Sequence, residues 1–203
     1  FSAASGAGQI SVGDEIVGLA RFRETLVIFC KNSIYRLGGS SVGDFVLQPV
    51  TRNIGCSSRF SIQEIGGDLI YLAPDGLRTI AGTQKIGDTE LGTISKQVQA
   101  RLITLTEGQI NNISSHVIRG KSQYRLYYPS GAATEANSTG LMAVLKRGAD
   151  TGQIGWEYAD LKGIKPMCAA HGNISNQDIV LHGDYDGGYV YQQENGSTLD
   201  GVS

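Results

Sequence analysis

Apolar and polar residues alternate in short runs along most of this chain, and the runs are separated by clusters of Gly, Asn, Asp and Ser. That rhythm predicts β-strands joined by tight turns. Ile16 to Phe22, Leu26 to Cys30 and Ile34 to Leu37 read as three successive strands, and Phe45-Val46-Leu47 as a fourth that stops near Pro49. A second block, Ser58 to Gly82, carries the turn Ala73-Pro74-Asp75-Gly76, in which Pro presets φ and Gly takes a positive φ. Strands resume at Ser115 to Arg119 and Gln123 to Tyr128, where Tyr124, Leu126 and Tyr128 alternate with Arg125 and Tyr127 as on a half-buried strand. Leu141 to Leu145 and Trp156 to Tyr158 form a further pair across Gly148 to Gly155. Asp178 to Leu181 faces Gly188 to Tyr191 across Gly183-Asp184-Tyr185-Asp186-Gly187.

One segment breaks the rhythm. From Ser95, a residue able to cap a helix, Val98, Leu102 and Leu105 recur at spacings of four and three, predicting a short inserted helix near 95–105.

The blocks also repeat. Shifted by forty-three positions, Leu26-Val27-Ile28-Phe29 lies over Leu69-Ile70-Tyr71-Leu72, Asn32-Ser33 over Asp75-Gly76, and Gly39 over Gly82. At an offset of 110, Asp178-Ile179-Val180 overlies Asp68-Leu69-Ile70. A period of roughly 40 to 50 residues built from hairpins points to β-propeller blades. The expected fold is therefore all-β, a propeller-like array of antiparallel hairpin blades. Residues 1–15, rich in Gly, Ser and Ala, read as a linker, and 16–203 as the β domain. The chain opens at Phe1 and closes at Gly201-Val202-Ser203, which reads as an internal piece of a longer polypeptide.

Composition narrows the function classes. Seventeen basic and nineteen acidic residues give a formal charge of −2, which disfavours tight binding of nucleic acid through its phosphates. A wall past which DNA slides is still allowed. Arg21, Arg23, Lys31 and Arg36 are the only local basic excess and read as the solvated side of a hairpin. Three cysteines without a CxxC pair fit a reducing cytoplasm during folding, with Cys30 and Cys168 as small buried hydrophobes beside Cys56. No apolar run reaches the roughly 18 residues of a membrane span. Asn137-Ser138-Thr139 forms a sequon in a polar loop, read as chance.

Candidate chemistry is sparse. His116, His171 and His182 lack the close spacing that puts two imidazoles on one metal. Neither a G-x-S-x-G elbow nor a phosphate-cradling G-x-x-x-x-G-K-[ST] occurs. Asp184 and Asp186, with Asp178 nearby, open like a calcium loop but lack the bidentate Glu twelve positions on, so Asp and Gly there read as hairpin-tip residues. One hairpin also rarely places two carboxylates on opposite sides of a sugar. Tyr124, Tyr127, Tyr128, Trp156, Tyr158, Tyr185, Tyr189 and Tyr191 crowd the second half, and alternation assigns most of them to core or seam.

Taken in order, Leu26–Phe29, Ser33–Gly38, Val50–Cys56, Ile65–Gly76 and Gly183–Tyr191 resemble the tail nozzle or tail tubular proteins of short-tailed bacteriophages, and the related head-completion proteins that plug packaged DNA. The likeness covers most of residues 16–192. It implies a non-enzymatic virion component, made in the host cytoplasm, whose propeller-bearing subunits assemble as a hexameric ring. Such a ring sits below the portal and adaptor proteins, alongside tail fibre proteins, and forms a channel that retains DNA and later ejects it. The resemblance implies no catalytic, cofactor-binding or metal-binding residues, and none is assigned. The alternative from another class is a carbohydrate-binding or glycoside-hydrolysing β-propeller. A host interaction propeller of the WD or kelch type fits less well, because its Gly-His and Trp-Asp or paired-Gly patterns are poorly met.

Overall fold

A computed structural model describes residues 9–41, 43–81, 93–129, 138–147, 154–161, 164, 166–184, 187–193 and 195. The chain is mostly β: the described residues hold fourteen strands in four antiparallel sheets, with two short α-helices. They divide into two compact units. Unit 1 comprises Phe1–Ile62 and Asp68–Ile94, and unit 2 comprises Gln63–Gly67 and Ser95–Ser203.

Unit 1 begins with a four-stranded meander, β1 (Ile16–Phe22), β2 (Thr25–Cys30), β3 (Ile34–Gly38) and β4 (Val46–Thr51), hydrogen-bonded in chain order. The first three strands fall where the alternation predicts them. β4 runs past Pro49 because it lies at the sheet edge, where a residue without an N–H breaks no ladder. After a 3₁₀ turn at Arg59–Ser61, the hairpin β6 (Asp68–Ala73) and β7 (Gly76–Thr79) completes the unit. β5 (Gln63–Ile65) belongs to unit 2.

Apolar faces from both halves of unit 1 converge on Phe22, Val27, Phe29, Ile34, Cys56, Leu69, Tyr71, Ala73 and Ile80. Phe29 and Tyr71 meet at 5.2 Å between ring centroids. Each of the large aliphatic side chains and Phe rings among them contributes roughly 1.5–3 kcal/mol on burial. The segment entering this core passes so close to β2 that a Cβ at Gly55 would lie 2.3 Å from the Cys30 carbonyl oxygen, and Cys56 N–H donates to that same carbonyl at 2.9 Å. In the β6–β7 turn Gly76 does take a positive φ, 124°. Ala73 pairs with Gly76, so this loop holds two residues, whereas Phe29 pairs with Ile34 across four.

Unit 2 contains a second four-stranded meander, β8 (Ser114–Ile118), β9 (Gln123–Pro129), β10 (Ser138–Arg147) and β11 (Ile154–Leu161). A three-stranded one follows, β12 (Pro166–Ile174), β13 (Gln177–Asp184) and β14 (Val190–Gln193). β12 is long and was not anticipated. It turns into β13 through Ser175 and Asn176, both at positive φ (52° and 62°), the pattern of a type I′ hairpin made without glycine.

The helix expected at 95–105 shrinks to Gln99–Leu102, and a second helix follows beyond that range. Ser95 opens only a turn, its carbonyl accepting from Val98 N–H, and α1 (Gln99–Leu102) has no side-chain cap. α2 (Glu107–Asn111) starts at a capping box in which Thr106 and Gln109 satisfy each other's backbone N–H groups. The alternation read for β9 is also corrected. Arg125 and Tyr127 are buried along with Tyr124, Leu126 and Tyr128, so this strand is covered on both faces.

The expected linker up to residue 8, most of the 148–155 turn, and Tyr185 and Asp186 lie outside the described residues. No helix among the described residues is long and apolar enough to cross a membrane, which says nothing of a β-barrel.

Candidate functional site

Of the carboxylates singled out in the sequence, the two among the described residues, Asp178 and Asp184, do not converge. Asp178 and Asp184 occupy opposite ends of β13. Asp178 accepts from Asn173 Nδ2 at 3.3 Å, and Asp184 accepts from Gly187 N–H at 3.1 Å, which closes its own hairpin. Among the described residues no group of three His, Cys, Asp or Glu is placed to hold a metal ion.

The cysteines divide. Cys30 and Cys56 are buried, but Cys168 is exposed, contrary to its apolar setting in the sequence, because β12 turns that side outward. Burial raises the Cys30 thiol pKa and pushes Cys56 up to about 11, so both stay protonated at neutral pH.

Each unit has a hollow on its described surface. In unit 1 the β1–β2 turn places Arg23 at φ 55°, with its guanidinium 5.0 Å from the Phe22 ring centroid. Arg23, Glu24, Thr25 and Arg36 line a hollow of about 410 Å³ there. Two guanidiniums face one carboxylate, a mixed-charge lining. Lys31, of the same basic group, instead pairs with Glu15 in full exposure, a contact of little energetic weight. In unit 2 Glu64, Gly66, Gly67, Arg119 and Ser122 line a smaller hollow of about 250 Å³.

The three histidines lie in unit 2. His116, 2% exposed, stacks on Tyr127 at 5.6 Å. His171 and His182 share one face of the β12–β14 sheet, since Ala169 pairs with His182 and His171 with Val180. His182 stacks on Tyr191 at 5.4 Å, and Tyr191 lies 6.2 Å from Tyr189. The aromatic assignment therefore splits. Tyr124, Tyr127 and Tyr128 are core residues, while Tyr189 and Tyr191 are 64% and 47% exposed.

Beneath that exposed edge lies a polar cluster that strand alternation hid. Gln193, the last residue of β14, is buried, and its Oε1 accepts from Arg125 Nη1 at 2.8 Å and from Tyr127 Oη at 3.1 Å. Arg125 Nη2 also donates to Gln123 Oε1 at 2.9 Å. The Gln193 amide nitrogen sits 3.2 Å from His182 Nδ1. Burial lowers the His182 pKa, and the nearby Asp184 carboxylate partly offsets that. The cluster contains no activated nucleophile; its titratable member near neutrality is an imidazole. One signal in the sequence was Arg125 itself, a charge inside a run of apolar and aromatic residues.

No protein-family model matches the chain, and no curated protein matches it.

Proposed function

We propose that this chain is a structural, non-enzymatic subunit of a short-tailed phage tail nozzle. It contributes propeller-like blades to a hexameric ring that retains DNA and then passes it during ejection. The observation that carries this reading is connectivity: each sheet hydrogen-bonds its strands in chain order, which is how a propeller blade is wired. The resemblance of the ordered motifs from Leu26 to Tyr191 supplies the virion context, with portal, adaptor and tail fibre proteins as neighbours and assembly from the host cytoplasm. Blades protect strand edges and make a stiff block, and identical subunits close a ring through heterologous contacts. A net charge of −2 suits a wall that does not hold phosphate.

The test is assembly. Negative-stain imaging and mass photometry of the purified chain across micromolar concentrations are expected to show closed six-fold rings. A monomer at every concentration overturns the reading.

One observation favours the carbohydrate-binding alternative. Tyr189 and Tyr191 are exposed aromatic residues beside His182, and sugars stack on exposed rings. Glycan binding by the monomer, lost in Tyr191→Ala, would move the assignment there.

A further inference from the structure

We infer that His182 and Gln193 form a pH-sensitive latch, which holds the edge strand β14 against the β8–β11 sheet and releases it when the imidazole takes up a second proton. The argument begins at the carboxamide. A guanidinium can only donate hydrogen bonds, and Arg125 Nη1 lies 2.8 Å from one end of Gln193, with Tyr127 Oη at 3.1 Å from the same atom. That end is therefore the oxygen, and the NH₂ faces His182 Nδ1 at 3.2 Å. An amide NH₂ donates only, so Nδ1 must present its lone pair. The imidazole is then neutral, with its proton on Nε2.

A second proton has to go on Nδ1, where it sets N–H against N–H. Rotating the carboxamide does not help, because its NH₂ would then face the Arg125 guanidinium. No orientation satisfies both neighbours once His182 is charged, and leaving buried polar groups unmatched is costly.

The surroundings set the balance. On its own strand His182 has Asp184, which favours the charged form. From β14 it meets the Tyr191 ring, and from β12 it has Ala169 opposite with half-buried His171 one step along the same face. From β9 the Arg125 charge lies behind the carboxamide and opposes protonation, beside Tyr127, which stacks on His116 of β8. β14 has little else to hold it. It pairs with β13 over four residue pairs, and Val190, Tyr191 and Gln192 are exposed, leaving Gln193 as its buried side chain.

Hydrogen exchange of the whole chain between pH 7.5 and 5, corrected for intrinsic rates, tests this. The opening constant of β14 amides is expected to rise by up to about tenfold per pH unit below the ordinary histidine value of about 6.5, while β2 and β3 amides stay level. His182→Asn, which does not titrate, is expected to flatten the β14 response. In Gln193→Glu the carboxylate still accepts from Arg125 and Tyr127 and also accepts from a protonated imidazole. The response is then expected to reverse, with β14 tightening in acid and His182 titrating above its usual value by NMR. A β14 response that is flat in the unaltered chain, or unchanged in His182→Asn, overturns the latch. If His182→Asn does not fold, the sign of the Gln193→Glu response decides alone.

Discussion

Both units bury apolar side chains, among them Leu126, Leu141 and Val117 in unit 2, but they answer their buried charge in different ways. Unit 1 centres on an apolar cluster, and its buried charge is answered inside one hairpin: Arg78, fully buried, donates from Nη2 to Asp75 Oδ2 at 2.6 Å, three residues away. Unit 2 joins distant parts of its chain through polar groups. Arg125 reaches Gln193, Tyr127 reaches the same oxygen, and Gln63 Nε2 donates to the Ser115 carbonyl at 3.0 Å. Apolar contact is non-directional and tolerates small displacements, whereas a hydrogen-bonded seam works only in one geometry and answers to protons. Unit 1 is thus the region expected to fail through cavities, and unit 2 the region expected to fail through mismatched donors.

Phe29→Ala strikes the apolar side hardest. Phe29 is fully buried and touches the Tyr71 ring, so its loss is expected to cost about 3–5 kcal/mol, read as a lower urea midpoint with unit 1 amides losing protection first. Equal, simultaneous loss in both units would show that the two fold as one cooperative body and erase the contrast drawn here.

Asp75→Ala tests the local charge pair and comes next. It leaves the Arg78 guanidinium buried without its carboxylate, and removes the acceptor of Thr93 Oγ1 at 3.0 Å. Breaking a fully buried pair costs roughly 3–5 kcal/mol; Asp75 is partly open to solvent, so about 2–3 kcal/mol is expected. Burial alone would raise the Asp75 pKa, but the hydrogen bonds and charge of Arg78 and the Thr93 hydroxyl more than offset it, and the group ends below the ordinary aspartate value. The unfolded chain therefore binds this proton first. The stabilisation is complete above about pH 4 and is lost as pH falls through the lowered folded value. Acid unfolding of Asp75→Ala is accordingly expected to be shallower in that window than that of the unaltered chain. The His182 response has the same sign but sits nearer neutrality.

Much of the β architecture was legible because alternation and turn chemistry are local. The forty-three-residue repeat located the β2–β3 and β6–β7 hairpins of unit 1 but not their facing. Val27 and Phe29 share their cluster with Leu69 and Tyr71, an offset of forty-two, while Ile70 and Leu72 are buried outside it. A period-two strand matched one residue out presents its other side, and a strand apolar on both faces gives no warning of this. β12 was missed because its hairpin turn is Ser175-Asn176 rather than a glycine turn, and α2 because five residues hold too little periodicity to register. The polar seam was illegible for a different reason. Arg125 and Gln193 lie sixty-eight positions apart, and the apolar run around Arg125 marks an odd charge without saying which residue meets it.

Tyr127→Phe is the smallest and sharpest probe of the seam, because it removes a single hydroxyl and leaves the ring in place against His116. The expected cost is about 1 kcal/mol, the net worth of one intramolecular hydrogen bond. Tyr71→Phe, in the apolar cluster of unit 1, is the matched comparison. Denaturant midpoints alone do not separate the two if each loses a similar amount. Their reach does. With one of its two donors gone, the Gln193 oxygen is held by Arg125 alone, so β14 amides, some distance from the altered residue, are expected to lose protection together with those of β9. In Tyr71→Phe the loss should stay within the β6–β7 hairpin and its packing partners. Confinement of the Tyr127→Phe effect to β9 would mean that the carboxamide merely rests on the seam without being oriented by it. Unit 2 would then be held, like unit 1, by apolar area.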